Sequence, residues 1–441
     1  MDFFKKVKIG IGYILKIRIT VTLIFICTVP VWAEPSIEGS LETTGNVYTS
    51  HDRYYNRTKI QYRAYENVAF DATFNENWFF RFNARGVYQT QKAGTIGNWI
   101  LNFFYGYLDY DSDYFSLQLG RIMDFNNLVY VYFDGMNLEG KIKAGEHKIT
   151  LDLYGGYIVK DDYLEEYRYP WALRSFNSTD VRNMFIRQRK GDYVAGFKAE
   201  LFAKNAGVFG FDYQLILNRS ALAEHYVSLN FETMFSKIFK LYGYGTLDLV
   251  ELLPSNTLAA IQINPIELLS IVIEHEYYRP VFIKNSYFWI YFKPYGNQDV
   301  NAKFIFLISK LLTIDLAYGV ILYEATPIPG NEISVNLEHR DIGKFGLKVK
   351  ADLIIGPEGN LITVQALLKR RILFFDLLAG GGVEFYNDTS ITSGLATGYF
   401  ATLGADIEII KSLILSATGE FSSNRDYRYN VRGNVSLKYF F

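Results

Sequence analysis

The sequence predicts an all-β fold: a transmembrane antiparallel up-and-down β-barrel, with 22 strands as the best count and 16 to 20 as the alternatives. Three observations support this prediction. Apolar and polar residues alternate along strand-length stretches, and short polar turns alternate with longer irregular stretches. Aromatic residues make up 17% of the chain, yet the mean hydropathy is only +0.02. A barrel wall explains both values, because its strands are apolar on the outer face only.

The first 33 residues are predicted to be a cleaved signal peptide. Basic residues from Lys5 to Arg18 precede an apolar run at 19–31, and Val31-Trp32-Ala33 provides a signal-peptidase site. Residues 34–441 are then a single barrel domain. Its first alternating strand starts close to the cleavage site, which leaves no room for a plug domain.

Charge and cysteine content exclude several classes of function. Without the signal peptide the chain has 40 basic and 45 acidic residues, a net charge of −5, which argues against a nucleic-acid partner. The only cysteine, Cys27, lies inside the apolar run, so the mature chain has no disulfide and no thiol chemistry. His275 points away from Glu274 and Glu276 on a strand, so these three cannot share a metal. We expect no enzyme, no metal and no cofactor.

The strands are joined by two kinds of connection that alternate without exception. Ten are tight, such as Asp111-Ser112-Asp113 and Asp341-Ile342-Gly343-Lys344. Eleven are predicted to be longer: 49–57, 92–97, 122–132, 160–190, 219–224, 251–256, 279–297, 324–331, 356–360, 387–392 and 423–426. This pattern predicts that both chain ends lie on the side of the tight turns, with an even number of strands.

Charged residues on the polar face of the strands are predicted to face the lumen, because Lys or Arg on the lipid face costs about 2–4 kcal/mol at mid-bilayer. The predicted pore-lining residues are Arg63, Arg81, Arg85, Glu139, Lys141, Arg340, Lys348, Lys350, Arg428 and Arg432. One interpretation is a hydrated wall of cross-strand pairs. The other is a transverse field, in which the arginines of the last strand join those of the first strands when the barrel closes.

The stretch 160–190 is the longest connection, and it combines charge with an aromatic residue. Asp161, Asp162, Trp171 and Arg187 are its candidates for a constriction or lid over the pore; the alternative is an exposed loop.

The last fifteen residues form one uninterrupted alternating strand that ends on an aromatic residue. Tyr427, Val431, Val435, Leu437, Tyr439 and Phe441 share one face, and the run exceeds the five or six residues typical of soluble strands. This ending resembles the closing strand of Gram-negative outer-membrane β-barrels. The resemblance implies that Tyr439 and Phe441 are recognised by the barrel assembly machinery.

A second resemblance covers about twenty residues. Leu119-Gly120-Arg121, a loop, and then Asp134-Gly135 are similar to a strand–loop–strand motif of porin families, including alginate-export-like porins. The resemblance implies a loop that narrows the pore, with Arg121 and Asp134 as constriction candidates. Ile122 stands where a glutamine often follows the arginine. Structurally, the two glycines would mark bends in the wall.

Taken together, these patterns predict a channel in the Gram-negative outer membrane for passive diffusion of small hydrophilic solutes. Two alternatives remain open: a sheath around a partner such as a multihaem cytochrome, and an export channel for a polymer. The expected partners are the lipid bilayer with lipopolysaccharide and the barrel assembly machinery, and a homo-oligomer is a further alternative.

Overall fold

The computed structural model describes residues 36–52, 56–89, 99–124, 131–159, 192–218, 221–279, 296–357, 359–388, 396–424 and 427–441. These residues form 22 strands. In chain order they are β1 (Ser36–Asp52), β2 (Arg57–Thr73), β3 (Trp78–Gln89), β4 (Trp99–Asp111), β5 (Phe115–Asp124), β6 (Val131–Ala144), β7 (His147–Ile158), β8 (Asp192–Ala203), β9 (Gly207–Asn218), β10 (Ala221–Met234), β11 (Phe239–Asp248), β12 (Leu253–Ile266), β13 (Leu269–Tyr278), β14 (Asn297–Leu307), β15 (Leu312–Tyr323), β16 (Gly330–Ile342), β17 (Phe345–Gly356), β18 (Gly359–Ile372), β19 (Phe375–Asp388), β20 (Ala396–Ile410), β21 (Leu413–Ser423) and β22 (Tyr427–Phe440). The predicted signal peptide lies outside the described residues.

The strands form one closed antiparallel sheet. Each strand pairs with its neighbours in the chain, and β22 pairs with β1 from Ser40 opposite Phe440 to Asp52 opposite Tyr427. Two further backbone hydrogen bonds join Gly39 and Phe441, with N···O distances of 2.9 and 3.1 Å. Each of the 22 described strands therefore has a neighbour on both sides. The predicted fold class and the count of 22 strands are confirmed.

The start of β1 and the end of β22 lie at the same rim of the barrel. This rim carries the ten tight turns and is called the turn end here. The opposite rim is called the loop end. Each of the ten predicted tight turns has a short connection at or near its predicted position; the turn predicted at Arg370-Arg371 lies at residues 373 and 374 instead, because β18 continues to Ile372. In the turn between β16 and β17, Gly343 and Lys344 have φ angles of 59° and 77°. Positive φ at both central residues gives a turn whose twist matches that of the flanking strands.

The loop end differs from the prediction in the length of its connections. Four stretches predicted as longer loops are largely strand: β1 continues to Asp52, β10 begins at Ala221, β12 begins at Leu253, and only residues 357 and 358 separate β17 from β18. The predicted strict alternation of short and long connections is therefore wrong at these four positions. Polar residues can continue a backbone ladder beyond the apolar part of the wall, because the ladder depends on main-chain groups rather than on side chains.

The two faces of the sheet differ in chemistry. Large apolar side chains remain exposed on the outward face; Met136, Leu138 and Leu153 have 51%, 38% and 55% of their surface accessible. Their chain neighbours Asn137, Glu139 and Asp152 point inward, and the register places Glu139 opposite Asp152. This is the polarity of a barrel with an apolar exterior and a polar interior.

A cluster of apolar side chains lies inside the barrel, towards the loop end of β5–β9. Ile122, Phe133, Tyr154, Ile158, Val194 and Ile216 are each at most 6% exposed. The backbone beside this cluster requires glycine at one position. Gly120 has a φ of +133°, and a Cβ built there would approach Tyr107 Cα at 2.9 Å.

Among the described residues, no helix is long and apolar enough to cross a membrane.

Candidate functional site

The barrel closes at a basic, aromatic region of the lumen wall. Arg432 on β22 lies opposite Tyr48 on β1, and the next lateral row places Asn434 opposite Asn46 and Asn46 opposite Arg63 on β2. We call Arg63, Arg85, Arg432, Tyr48 and Tyr65 the seam patch. A recess of about 440 Å³ lies between Arg63 and Arg432 and is also lined by Gln61, Thr418 and Glu420.

Aromatic rings and amide oxygens hold the guanidinium groups of the seam patch in place. The guanidinium carbon of Arg432 is 5.5 Å from the Tyr48 ring centroid, and that of Arg85 is 5.7 Å from the Tyr65 centroid. Arg85 Nε donates a hydrogen bond to Asn67 Oδ1 at 2.6 Å. Arginine stacks on rings while its N–H groups stay directed away from the ring in a fixed plane, so the seam patch presents organised donors to the lumen.

The neighbouring Arg81 on β3 is balanced by acids. Its Nη2 is 3.8 Å from Asp109 Oδ2, and Asp71 lies opposite it in the register. Asp109 is buried, with 8% of its side chain accessible. Arg81 therefore contributes less to the net field than the seam patch does.

Carboxylates collect on the inward face of β13–β16. Glu276 lies opposite Asp299, and Glu274, Asn301, Gly319 and Glu332 form one lateral row. Asp299 Oδ1 is directed towards this row, since a Cβ built at Gly319 would lie 3.2 Å from it. We call Glu274, Glu276, Asp299 and Glu332 the acidic wall.

Sequence reasoning identified only half of the acidic wall. Glu274 and Glu276 were expected to face inward, but Asp299 and Glu332 adjoin stretches interpreted as loops. The structure places both in strands, because β14 begins at Asn297 and β16 at Gly330. The alternation of Asp299 with Val300, which is 43% exposed on the outward face, is the signal that could have found them.

The seam patch and the acidic wall face each other across the lumen. β2 and β13 are eleven strands apart in a 22-stranded sheet, which is half of the circumference. A circular barrel of 22 strands is about 44 Å across, given a strand spacing of 4.8 Å and a tilt near 40°. Because ions screen charges beyond about 8–10 Å, each wall acts mainly on solutes close to it.

The other predicted pore-lining residues on β16 and β17 face inward beside carboxylates. Lys350 Nζ is 2.9 Å from Asp352 Oδ2, and Arg340 Nε is 3.4 Å from Glu338 Oε1. Lys348 lies opposite Glu338 in the register. This part of the lumen wall is close to neutral, as the interpretation of cross-strand pairs expected.

Three predicted pore-lining residues lie elsewhere on the inward face. Glu139 and Lys141 are on β6, and Lys141 forms an ion pair with Asp111. Arg428 is at the loop end of β22, where its backbone carbonyl accepts a hydrogen bond from Ser423 Oγ at 2.8 Å. None of these joins the seam patch.

Arg121 and Asp134 do not lie in a loop, and they do not face the lumen. They are opposite each other on β5 and β6, in the same outward orientation as Leu119 and Met136. Arg121 Nε is 2.8 Å from Asp134 Oδ1, and Arg121 Nη2 is 3.0 Å from Asp134 Oδ2. The expectation that these two residues narrow the pore is not met, because the alternation of β5 carries Arg121 to the outer face.

The remaining constriction candidates cannot be placed. Asp161, Asp162, Trp171 and Arg187 lie in the stretch 160–191, outside the described residues.

Several solved structures match most of the chain at low sequence identity. The chain is similar to the Acinetobacter baumannii protein OccAB3, with a TM-score of 0.45, 8% identity, and coverage of 92% of this chain and 100% of that chain. It is similar to a BenF-like porin from Pseudomonas fluorescens Pf-5, with a TM-score of 0.44, 9% identity, and coverage of 92% and 98%. The translocation pore of the P pilus usher PapC gives a TM-score of 0.44 at 8% identity, with coverage of 92% and 99%. No protein-family model and no curated protein matches the sequence.

The predicted assembly residues lie at the turn end. Tyr439 faces outward opposite Leu41, and its ring centroid is 6.2 Å from that of Phe441. Recognition by the assembly machinery stays a prediction for Tyr439 and Phe441.

Proposed function

We propose that the chain is an outer-membrane channel through which small hydrophilic solutes diffuse, past lumen walls of opposite charge. The observation that carries the proposal is the closed 22-stranded barrel with an apolar outward face and a polar inward face. Only an arrangement that satisfies its own backbone hydrogen bonds can span a bilayer, and a closed barrel does so. The described residues include no domain that fills its interior.

Aromatic side chains at both rims support placement in a membrane. At the turn end, Trp78 and Phe115 flank Tyr110 with ring centroids 4.9 and 5.2 Å away. At the loop end, the Tyr157 and Tyr193 rings meet at 5.6 Å. Such belts lie at the two membrane–water interfaces of transmembrane barrels, and short turns face the periplasm. The turn end is therefore assigned to the periplasmic side.

The charged walls give the channel a means of sorting solutes. An anion about 6 Å from one guanidinium in water gains about 0.7 kcal/mol, and screening at 0.1 M salt reduces this to about 0.4 kcal/mol. One guanidinium at this distance then raises the local anion concentration about twofold. A solute with separated charges would orient across the lumen, with its anionic end towards the seam patch.

Reconstitution of the purified chain tests the channel. In liposome-swelling assays, small sugars should enter vesicles that contain the chain, at rates that fall as the sugar size increases. Vesicles that stay impermeable although the chain is folded in them would refute the proposal.

Ion selectivity tests the role of the seam patch. The triple variant Arg63→Gln, Arg85→Gln, Arg432→Gln should lower the chloride-to-potassium permeability ratio about twofold or more at 0.1 M salt. Lys350→Gln is the matched control, because Lys350 is already neutralised by Asp352 at 2.9 Å. An unchanged ratio in the triple variant, or an equal change in the control, would refute the role of the seam patch.

No contact among the described residues favours the sheath or the polymer-export alternative. Co-purification separates a sheath from a channel: a haem-containing complex that does not conduct would support a sheath.

A further inference from the structure

A trough crosses the outward face of β19–β22 and β1, where small residues replace bulky apolar ones. Its floor consists of two neighbouring lateral rows that the register defines. The first row contains Gly45, Val435, Ala417 and Ala405, and the second contains Gly433, Gly419, Leu403 and Ala379, so that small residues predominate in both. We call this feature the outer trough; its volume is about 790 Å³ and its lining is largely apolar.

A cation closes the outer trough at the turn end. The first row continues through Leu377 to Arg370 on β18. The guanidinium carbon of Arg370 is 4.5 Å from the Phe345 ring centroid, and both residues line the trough. An arginine on the outward face of a membrane barrel is costly unless an anion or the interface accommodates it.

Arg370 lacks an anionic partner within the described part of the chain. Its Nε is buried and donates no hydrogen bond to any described residue. The adjacent Arg371 differs, since its Nη2 is 3.7 Å from Glu408 Oε2. The trough therefore ends at a positive charge that the described residues do not neutralise.

The outer trough rises from the interface into the membrane. Arg370 lies beside the turn that follows β18, whereas Gly45 lies in the middle of β1. The row between these two residues crosses five strand spacings, a distance of roughly 24 Å. Because the strands are tilted near 40°, the row rises roughly 15 Å along the membrane normal. That climb matches half of a hydrocarbon core about 30 Å thick.

We propose that the outer trough binds an anionic phospholipid of the periplasmic leaflet, with one acyl chain along the two rows of small residues and the phosphate at Arg370. The inference rests on the membrane placement given under the proposed function. A phosphate oxygen accepts hydrogen bonds from a planar guanidinium, and stacking on Phe345 keeps that guanidinium in place. The chain then fills a surface that would otherwise be poorly packed.

Native mass spectrometry of the full chain, purified in detergent with added phosphatidylglycerol or phosphatidylcholine, tests the site. The wild-type chain should retain phosphatidylglycerol in preference to phosphatidylcholine. Arg370→Gln should weaken retention of phosphatidylglycerol about fivefold, the effect of one interfacial cation. Arg371→Gln is the matched control and should retain the lipid, because Arg371 is paired with Glu408.

A second variant tests the apolar part of the outer trough. A Cβ at Gly419 would meet no atom within 4 Å, so Gly419→Leu places a side chain in the trough without disturbing the wall. It should reduce retention of both lipids while the barrel keeps its heat-resistant gel mobility.

Three results would overturn the proposal: equal retention by the wild type and Arg370→Gln, equal loss in Arg371→Gln, or a lipid-free dimer that Gly419→Leu dissociates. The last result would assign the trough to a second copy of the chain. Lipid retention and solute flux are separate readouts, so a failed lipid site leaves the channel proposal standing.

Discussion

The ion pair between Arg121 and Asp134 should stabilise the barrel from its outer face. Besides two contacts with the carboxylate, Arg121 Nη1 donates to the Phe103 carbonyl oxygen at 3.1 Å, and the guanidinium carbon lies 4.8 Å from the Phe103 ring centroid. The Arg121 side chain is 22% accessible and that of Asp134 is 49% accessible. Arg121→Leu would therefore leave a carboxylate without its partner on a surface that contacts lipid or its headgroups.

The size of the effect follows from this geometry. Two charges about 4 Å apart at an effective dielectric of 20 attract by about 4 kcal/mol. The half-exposed Asp134 and the cost of desolvating both groups reduce the net coupling to about 1–2 kcal/mol. We expect Arg121→Leu to lower the free energy of unfolding by about 2 kcal/mol, and the double variant with Asp134→Leu to recover about half of that loss.

A double-mutant cycle measures this coupling. Urea unfolding of the wild type, Arg121→Leu, Asp134→Leu and the double variant would be followed by tryptophan fluorescence in lipid vesicles, at low and high salt. The coupling should survive high salt, because a bidentate pair stacked on a ring is only partly screened. If the losses of the two single variants simply add in the double variant, the pair contributes nothing and the reasoning fails.

Three further predictions concern other parts of the wall. Gly120→Val should strongly reduce the yield of folded barrel on heat-modifiability gels, because the φ of Gly120 is +133° and a Cβ there would crowd Tyr107. Gly86→Val is the control, since nothing lies within 4 Å of a Cβ at Gly86. Equal yields of the two variants would contradict the prediction. The Gly296 amide donates to Glu324 at 2.8 Å, and this hydrogen bond lowers the pKa of Glu324 below its usual range. A carboxylate with a lowered pKa stabilises the fold above its unfolded pKa, about 4.3, and loses that effect as the pH falls through the folded value. The Gly296 amide should thus lose protection below pH 4 in the wild type, measured as its hydrogen-exchange rate relative to the intrinsic rate of an unfolded chain at the same pH, and an identical pH profile in Glu324→Gln would count against it. Deleting Phe441 removes two backbone bonds to Gly39 and should reduce assembly in cells; an undiminished amount of barrel in the outer membrane would argue against the assembly signal.

The strand number and the two faces of the wall were predictable because both depend on local sequence. A period of two assigns faces residue by residue, and turn residues end each strand. The last strand shows this well: Arg432 and Lys438 alternate with Val431 and Leu437, and the register confirms that the two sets occupy opposite faces. Which residues lie opposite those of the last strand on β1 could also be anticipated, because a closed barrel must pair its last strand with its first.

The site was predictable in part. The arginines of β2, β3 and β22 were expected to meet at closure, and Arg63 and Arg432 do share one recess. Arg121 was assigned to the pore because Leu119-Gly120-Arg121 resembles a porin motif in which a loop that narrows the pore follows the arginine. Its partner Asp134 lies across an intervening stretch of the chain, so the pairing that permits an outward charge depends on register rather than on local pattern.

The acidic wall was harder to predict for a different reason. Asp299 and Glu332 lie at the starts of strands, and polar residues there resemble the loops that precede them. Their opposition to the seam patch also depends on the strand count, because a barrel with fewer strands would place them at another angle.

Single-channel recording from the purified chain in a planar bilayer tests the central claim most directly. A water-filled barrel of 22 strands should give discrete, long-lived conductance steps in potassium chloride, without any added partner. The triple seam variant should keep the steps and change their ion selectivity. A folded, membrane-inserted chain that gives no conductance would contradict the account, because a passive channel requires an open path through the lumen.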